Sequence, residues 1–105
     1  MKGGGDFSIG SQVWPGASKV IEEMGELQQV MGKLIGTAGE EKHWDGSDLK
    51  ERLKEELADV SAAIAFFIAK NFEDTDDREM ILRVANKKAL FFKWHNEQEE
   101  KGGGM

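Results

Sequence analysis

A chain of 105 residues carrying a net charge of −6 and no cysteine is sized for one domain with a modest core. The acidic balance argues against nucleic acid and anionic membranes as partners, since both attract basic surfaces. The missing cysteines exclude disulfides and thiol chemistry, and no run of apolar residues approaches the length of a membrane span.

In chain order, Met1 to Asp6 has one lysine, three glycines and no apolar stretch. It does not read as a signal peptide, so the expected location is cytoplasmic. Residues 1–13 are expected as a flexible arm. Within it the segment from Phe7 to Trp14 is compatible with either a short helix or an extended strand of chain. Residues 101–105, which include the second glycine triplet, are expected as a flexible tail. The region between, residues 14–100, reads as almost all helix, because it shows helical periodicity and no β-type alternation.

The first long helix is expected from Ala17 to Ile35, entered through Pro15. Val20, Met24, Leu27, Met31 and Leu34 fall on one face of it. Glu22, Glu23 and Glu26 lie beside that face, with Glu23 nearest. Gly25 and Gly32 inside the helix each cost about 1 kcal/mol against alanine, and Gly36 is placed as its cap. A polar loop from Thr37 to Gly46 holds His43, Trp44 and Asp45.

The second helix is expected to start at Ser47 or Asp48, with Asp48 and Glu51 as a capping box. Leu49, Leu53, Leu57, Val60, Ile64 and Phe67 form its core face, and Ala58, Ala62, Ala65 and Ala69 the opposite side. A helix apolar nearly all round needs burial on several sides, which in so short a chain points to another subunit. Asp76 and Glu79 suggest a second capping box for a third helix, Asp77 to Glu99. Arg83, Lys87, Lys88 and Lys93 make that helix the basic element of an acidic protein. The expected fold is all-α, an antiparallel bundle of three to four helices completed by oligomerisation.

The chemistry lies in two short carboxylate pairs, Glu23-x-x-Glu26 and Glu56-x-x-Asp59. Three residues make about one helical turn, so each pair points to one side. If the two helices pack together, the acids converge and repel, unless a cation or basic side chains compensate them. Arg52 stands four residues from Glu56 as an ordinary ion-pair partner, and the spacing alone does not choose between the two remedies. Oxygen donors suit a hard cation, Mg²⁺ or Mn²⁺. A di-iron bundle needs Glu-x-x-His, and neither His43 nor His95 follows a glutamate by three. Zinc ligation lacks its histidines and cysteines as well.

Glu22-Glu23-Met24-Gly25-Glu26-Leu27 followed by Glu55-Glu56-Leu57-Ala58-Asp59-Val60 resembles the MazG-like nucleoside triphosphate pyrophosphohydrolases of the all-α NTP pyrophosphatase superfamily. Their pattern is E-x-x-E, a spacer, then E-x-x-D, each on a long helix, and the resemblance covers Trp14 to Trp94. The spacer here, residues 27–55, is at the long end of that pattern, with the excess falling in the His43-Trp44 loop. The resemblance implies that Glu23, Glu26, Glu56 and Asp59 hold Mg²⁺, and that Glu22 is a further acid that orients water or binds a metal. It implies that Asn86 and Lys87, with Lys88 beside them, contact the phosphates. It also implies cleavage between the α- and β-phosphates, yielding a nucleoside monophosphate and pyrophosphate, in a homo-oligomer, dimer or tetramer. Glu22 or Glu23 is then the candidate to accept the proton of the attacking water, and Trp14 and Trp44 are candidates to stack on the base. The alternatives are a non-catalytic helical interaction module and a nucleotide sensor that binds without cleaving.

Overall fold

The computed structural model describes residues 5–40, 48–73 and 76–103. It holds three helices, α1 (Ala17–Gly36), α2 (Leu49–Asn71) and α3 (Arg78–Gly103), and no strand among the described residues. The chain divides into two compact units, Met1–Glu73 and Asp74–Met105.

In the first unit α1 and α2 pack on each other. The start of α1 meets the end of α2: the Asn71 Nδ2 donates to the Pro15 carbonyl at 2.9 Å, and Gly16 lies against the Phe66 ring. The two helices are therefore antiparallel. The face that α1 packs is rotated from the expected one. Val30 is buried to 1% exposure and Glu23, Leu27 and Leu34 are half-buried, whereas Met24 and Met31 are exposed. Positions 23, 27, 30 and 34 repeat in steps of four and three, so this stripe is as helical as the expected one. Glu23 belongs to it rather than bordering it. On α2 the shift is smaller, and Leu49, Leu53, Val60 and Phe67 of the expected face stay packed. Leu49, Val60 and Ala63 are buried and Leu53, Glu56 and Phe67 half-buried, while Leu57 and Ile64 are exposed. Ala63 takes the place expected of Ile64, because a small side chain lets the helices approach, and Glu56 comes onto the packed stripe with it.

The caps follow the sequence in part. The Asp48 carboxylate accepts from the Glu51 amide at 3.2 Å and starts α2 as expected. Gly36 is not the cap of α1. The helix includes it, Thr37 follows as the cap, and the left-handed residues are Ala38 and Gly39. Asp76 does not pair with Glu79. Its carboxylate accepts from the Arg78 amide at 3.0 Å and from the Arg78 guanidinium at 2.6 Å. That pairing holds the Asp76 carboxyl below its ordinary range.

Before α1 the chain is neither helix nor extended. Residues 5–16 form turns folded back onto α1: the Gly16 amide donates to the Ser8 carbonyl at 2.8 Å, and the Ser18 amide and hydroxyl both donate to the Phe7 carbonyl. Phe7 and Trp14 hold positive φ angles of 57° and 44° there, an uncommon conformation for aromatic residues. In the second unit, α3 continues past Glu99 to Gly103, and no described side chain of it is buried. No helix of the described residues is long and apolar enough to cross a membrane.

Candidate metal centre

Packing the two rotated stripes together brings the carboxylates of the two helices to one place. One oxygen from each of Glu23, Glu56 and Asp59 lies within 4.8 Å of the others. Glu26 completes the group electrostatically, since its carboxylate acts on both Glu23 and Glu56. Glu23 and Glu56 are half-buried, and Oε2 of each is fully buried with no hydrogen-bond partner. A buried carboxylate oxygen without a donor is costly.

The electrostatics follow from this placement. Burial raises the carboxyl groups of Glu23 and Glu56 above the ordinary glutamate range, and the charges of Glu26 and then Asp59 raise both further. Lys19 opposes this at Glu23, and Arg52 opposes it at Glu56. Neither cation closes an ion pair with the cluster. Lys19 sits 3.3 Å from Glu22 instead. Among the described residues, the ion pairs use Glu22, Glu51, Glu73, Asp76 and Glu99, and none uses Glu23, Glu26, Glu56 or Asp59. The pairing of Arg52 with Glu56 that the four-residue spacing allows does not form.

This arrangement fits a hard divalent cation. The donors are all carboxylate oxygens, they converge from two helices, and two of the oxygens are buried without a donor. A cation bound there would supply the compensation that the surrounding lysines and arginines do not.

The other residues singled out by sequence are distributed as follows. Glu22 is exposed and held by Lys19, and as the residue next to Glu23 it stands about 100° round the helix from it. Trp14 stacks on Phe67, with ring centroids 6.0 Å apart and planes 18° from parallel, and lies 6.1 Å from Phe72. It is part of the aromatic group that fixes the turns before α1 to the end of α2. Trp44 lies outside the described residues. Asn86, Lys87 and Lys88 are exposed on α3. Asn86 and Lys87 line one shallow groove of that helix, and Lys87 and Lys88 a second, more apolar one that includes Met80, Val84 and Phe91.

Sequence reasoning missed a groove beside the acids. Glu23 and Asp59 line it together with Lys19, Ile9, Ala62, Ala63 and Phe66. The available signal was the spacing on α2: Asp59, Ala62, Ala63 and Phe66 succeed one another by turns on the face that carries the acid.

Compared with protein-family models, with curated proteins and with solved structures, the chain matches none.

Proposed function

We propose that this protein is a Mg²⁺-dependent hydrolase of nucleoside or deoxynucleoside triphosphates, cleaving between the α- and β-phosphates to release a nucleoside monophosphate and pyrophosphate. The observation that carries this reading is the convergence of Glu23, Glu56 and Asp59, joined by Glu26, without an ion-pair partner for any of them. The doubled E-x-x-E and E-x-x-D resemblance to the MazG-like pyrophosphohydrolases supports it.

In this reading Glu23, Glu26, Glu56 and Asp59 hold Mg²⁺ or Mn²⁺. Held there, the cation would offset the charge of the triphosphate and of the transition state. The chain's own residues supply the rest. Glu22 is exposed to solvent beside the cluster and accepts the proton of the attacking water, a role Glu23 shares if its carboxylate is not engaged. Lys19 holds Glu22 in place. Lys87 and Lys88 act as point charges toward the phosphates and Asn86 as a hydrogen-bonding partner. The working form is a homo-oligomer, dimer or tetramer. The exposure of Ile81, Leu82, Val84, Phe91, Phe92 and Trp94 on α3 supports this, since apolar groups in such number favour a covering partner.

The test is pyrophosphate release from a panel of nucleoside and deoxynucleoside triphosphates with Mg²⁺, alongside the Glu56→Gln variant. Release by the native protein and its loss in the variant are expected. No release from any nucleotide, or equal release by the variant, removes the reading. The same exposed α3 side chains favour a second reading, a helical interaction module without catalysis. That module predicts no rise in melting temperature with Mg²⁺, whereas a cation bound to the folded form must raise it. A nucleotide sensor would show the rise without turnover.

A further inference from the structure

We infer that residues 5–13 form a hinged strap that opens and closes over the approach to the carboxylate cluster, with Trp14 to Gly16 as its hinge. This rests on the reading of the cluster as the site of a Mg²⁺-bound ligand and adds a control on entry to it.

The hinge is the boundary between a firmly held and a lightly held stretch of chain. From Trp14 onward the chain is tied to α2. The Trp14 ring stacks on Phe67 at 6.0 Å, the Pro15 carbonyl accepts from the Asn71 amide group at 2.9 Å, and Gly16 lies against the Phe66 ring. Before Trp14 the strap is tied to the start of α1 through two carbonyls. That of Phe7 accepts from the Ser18 amide and hydroxyl, each at 2.9 Å, and that of Ser8 accepts from the Gly16 amide at 2.8 Å. Apolar burial adds little, since Phe7, Ile9 and Val13 are all exposed. Ser11 is buried, and its hydroxyl donates to the Val13 carbonyl inside the strap. A stretch held by hydrogen bonds and few buried apolar contacts opens more readily than a packed core.

The closed position is also strained. Phe7 holds φ at 57°, a conformation that is unfavourable for an aromatic residue and persists only where its surroundings impose it. The carbonyl of this same residue is the one that Ser18 grips twice. Letting go of it frees the torsion, so strain and hydrogen bonding oppose each other across one residue. Opposed terms of this kind bring two positions close in free energy.

The strap stands where it can control entry. Ile9, at its middle, lines the groove that Glu23 and Asp59 also line. A ligand held by those acids meets Ile9 only when the strap is closed, which is the differential contact needed to favour that position. Capping accounts for part of the arrangement: α1 has no side-chain cap and no acid in its first turn, and the Phe7 carbonyl satisfies the Ser18 amide. Capping does not account for Ile9 at the groove, or for phenylalanine at a left-handed position where glycine or asparagine would cap without strain.

Two substitutions outside the groove push the balance in opposite directions. Ser18→Ala removes one bond to the Phe7 carbonyl and favours opening. Phe7→Asn suits the left-handed position and favours closing. The Gly16 amide, which bonds to the Ser8 carbonyl and is altered by neither, reports opening through its hydrogen exchange. Its exchange is expected to rise about three- to tenfold in Ser18→Ala and to fall by a similar factor in Phe7→Asn, with the Val30 amide unchanged. In the native chain, Mg²⁺ with a non-hydrolysable nucleoside triphosphate is expected to slow it about tenfold. The association rate of that complex, read by stopped flow, is expected to follow the Gly16 exchange in both variants. Association rates that stay level while exchange moves reduce the strap to a cap of α1 and overturn the gate, and turnover by the native chain then leaves the hydrolase reading standing. Exchange that neither variant shifts, or that the ligand does not slow, overturns the gate as well. A native chain with neither turnover nor a Mg²⁺ melting shift removes the hydrolase reading, and the gate with it.

Discussion

The two compact units use apolar residues in opposite ways. The α1–α2 pair packs most of the residues its sequence marks for the core but exposes four of them, Leu57, Ile64, Met24 and Met31, and packs a stripe that includes Glu23 and Glu56. α3 is the longest helix, at 26 residues, yet Ile81, Leu82, Val84, Phe91, Phe92 and Trp94 along it are all more than half exposed. A helix needs packing of an apolar face more than propensity to be stable in water. In the first unit that packing is achieved between its own helices at the cost of crowding carboxylates. In the second the apolar side chains stay exposed, and the assembly proposed above would cover them. The contrast sets a unit that packs converging carboxylates against one that leaves its apolar side chains exposed.

The largest expected effect tests the first half of that contrast. Glu56→Gln removes one charge from the cluster and is expected to lower Mg²⁺-dependent pyrophosphate release by at least about 100-fold. The same substitution is expected to raise the melting temperature of the metal-free protein, because it takes away a repelled, buried carboxylate. Loss of activity with loss of metal-free stability would mean that Glu56 is structural.

The second half is tested on α3. Ile81 and Phe92 are eleven residues apart and share a helical face, so Ile81→Gln with Phe92→Gln places two polar groups on one stripe. Sedimentation is expected to show a dimer or tetramer for the native chain and a monomer for the variant. An unchanged mass would move the interface off this face.

Next in size is the joint between the turns and α2. Gly16→Ala forces a side chain into a left-handed position and against the Phe66 ring, and is expected to cost about 1–3 kcal/mol in urea unfolding.

Acidity gives a further check. Glu23 and Glu56 have folded-state values raised above the ordinary glutamate range. They bind protons more readily folded than unfolded, so their stabilising contribution is complete below the ordinary range and is lost as pH rises through the raised values. Melting temperatures of the metal-free protein should therefore rise on mild acidification, and the rise should flatten when both are changed to Gln. The Mg²⁺-induced shift should shrink over the same window, because the cation needs the charged carboxylates.

The smallest effect concerns Gly32. A β-carbon there meets nothing within 4 Å, so Gly32→Ala is expected to stabilise the chain by about 1 kcal/mol. A loss of stability or of assembly instead would show that a partner approaches α1 at that point.

Helix content and the two acid pairs were legible in the sequence, because a 3.6-residue period and a three-residue spacing are local properties. The start of α2 at Asp48 was legible too, since a capping carboxylate acts on an amide three residues away. The Asp76 cap was misassigned because Arg78 competes for the same carboxylate at shorter range. The roles of Trp14 and of the groove were not legible. Stacking on Phe67 and the closeness of Gly16 to Phe66 join residues some fifty positions apart.

What the sequence alone determined is an acidic, helical chain with paired carboxylates on successive helices. What only the tertiary structure decided is the rotation of α1 and α2 about their own axes. Two apolar stripes are available on each helix, one through Met24 and Leu57 and one through Val30 and Ala63, and periodicity ranks them nearly equal. Close approach at Ala63 and the joint at Gly16 select the second, and with it the burial of Glu23 and Glu56 against each other.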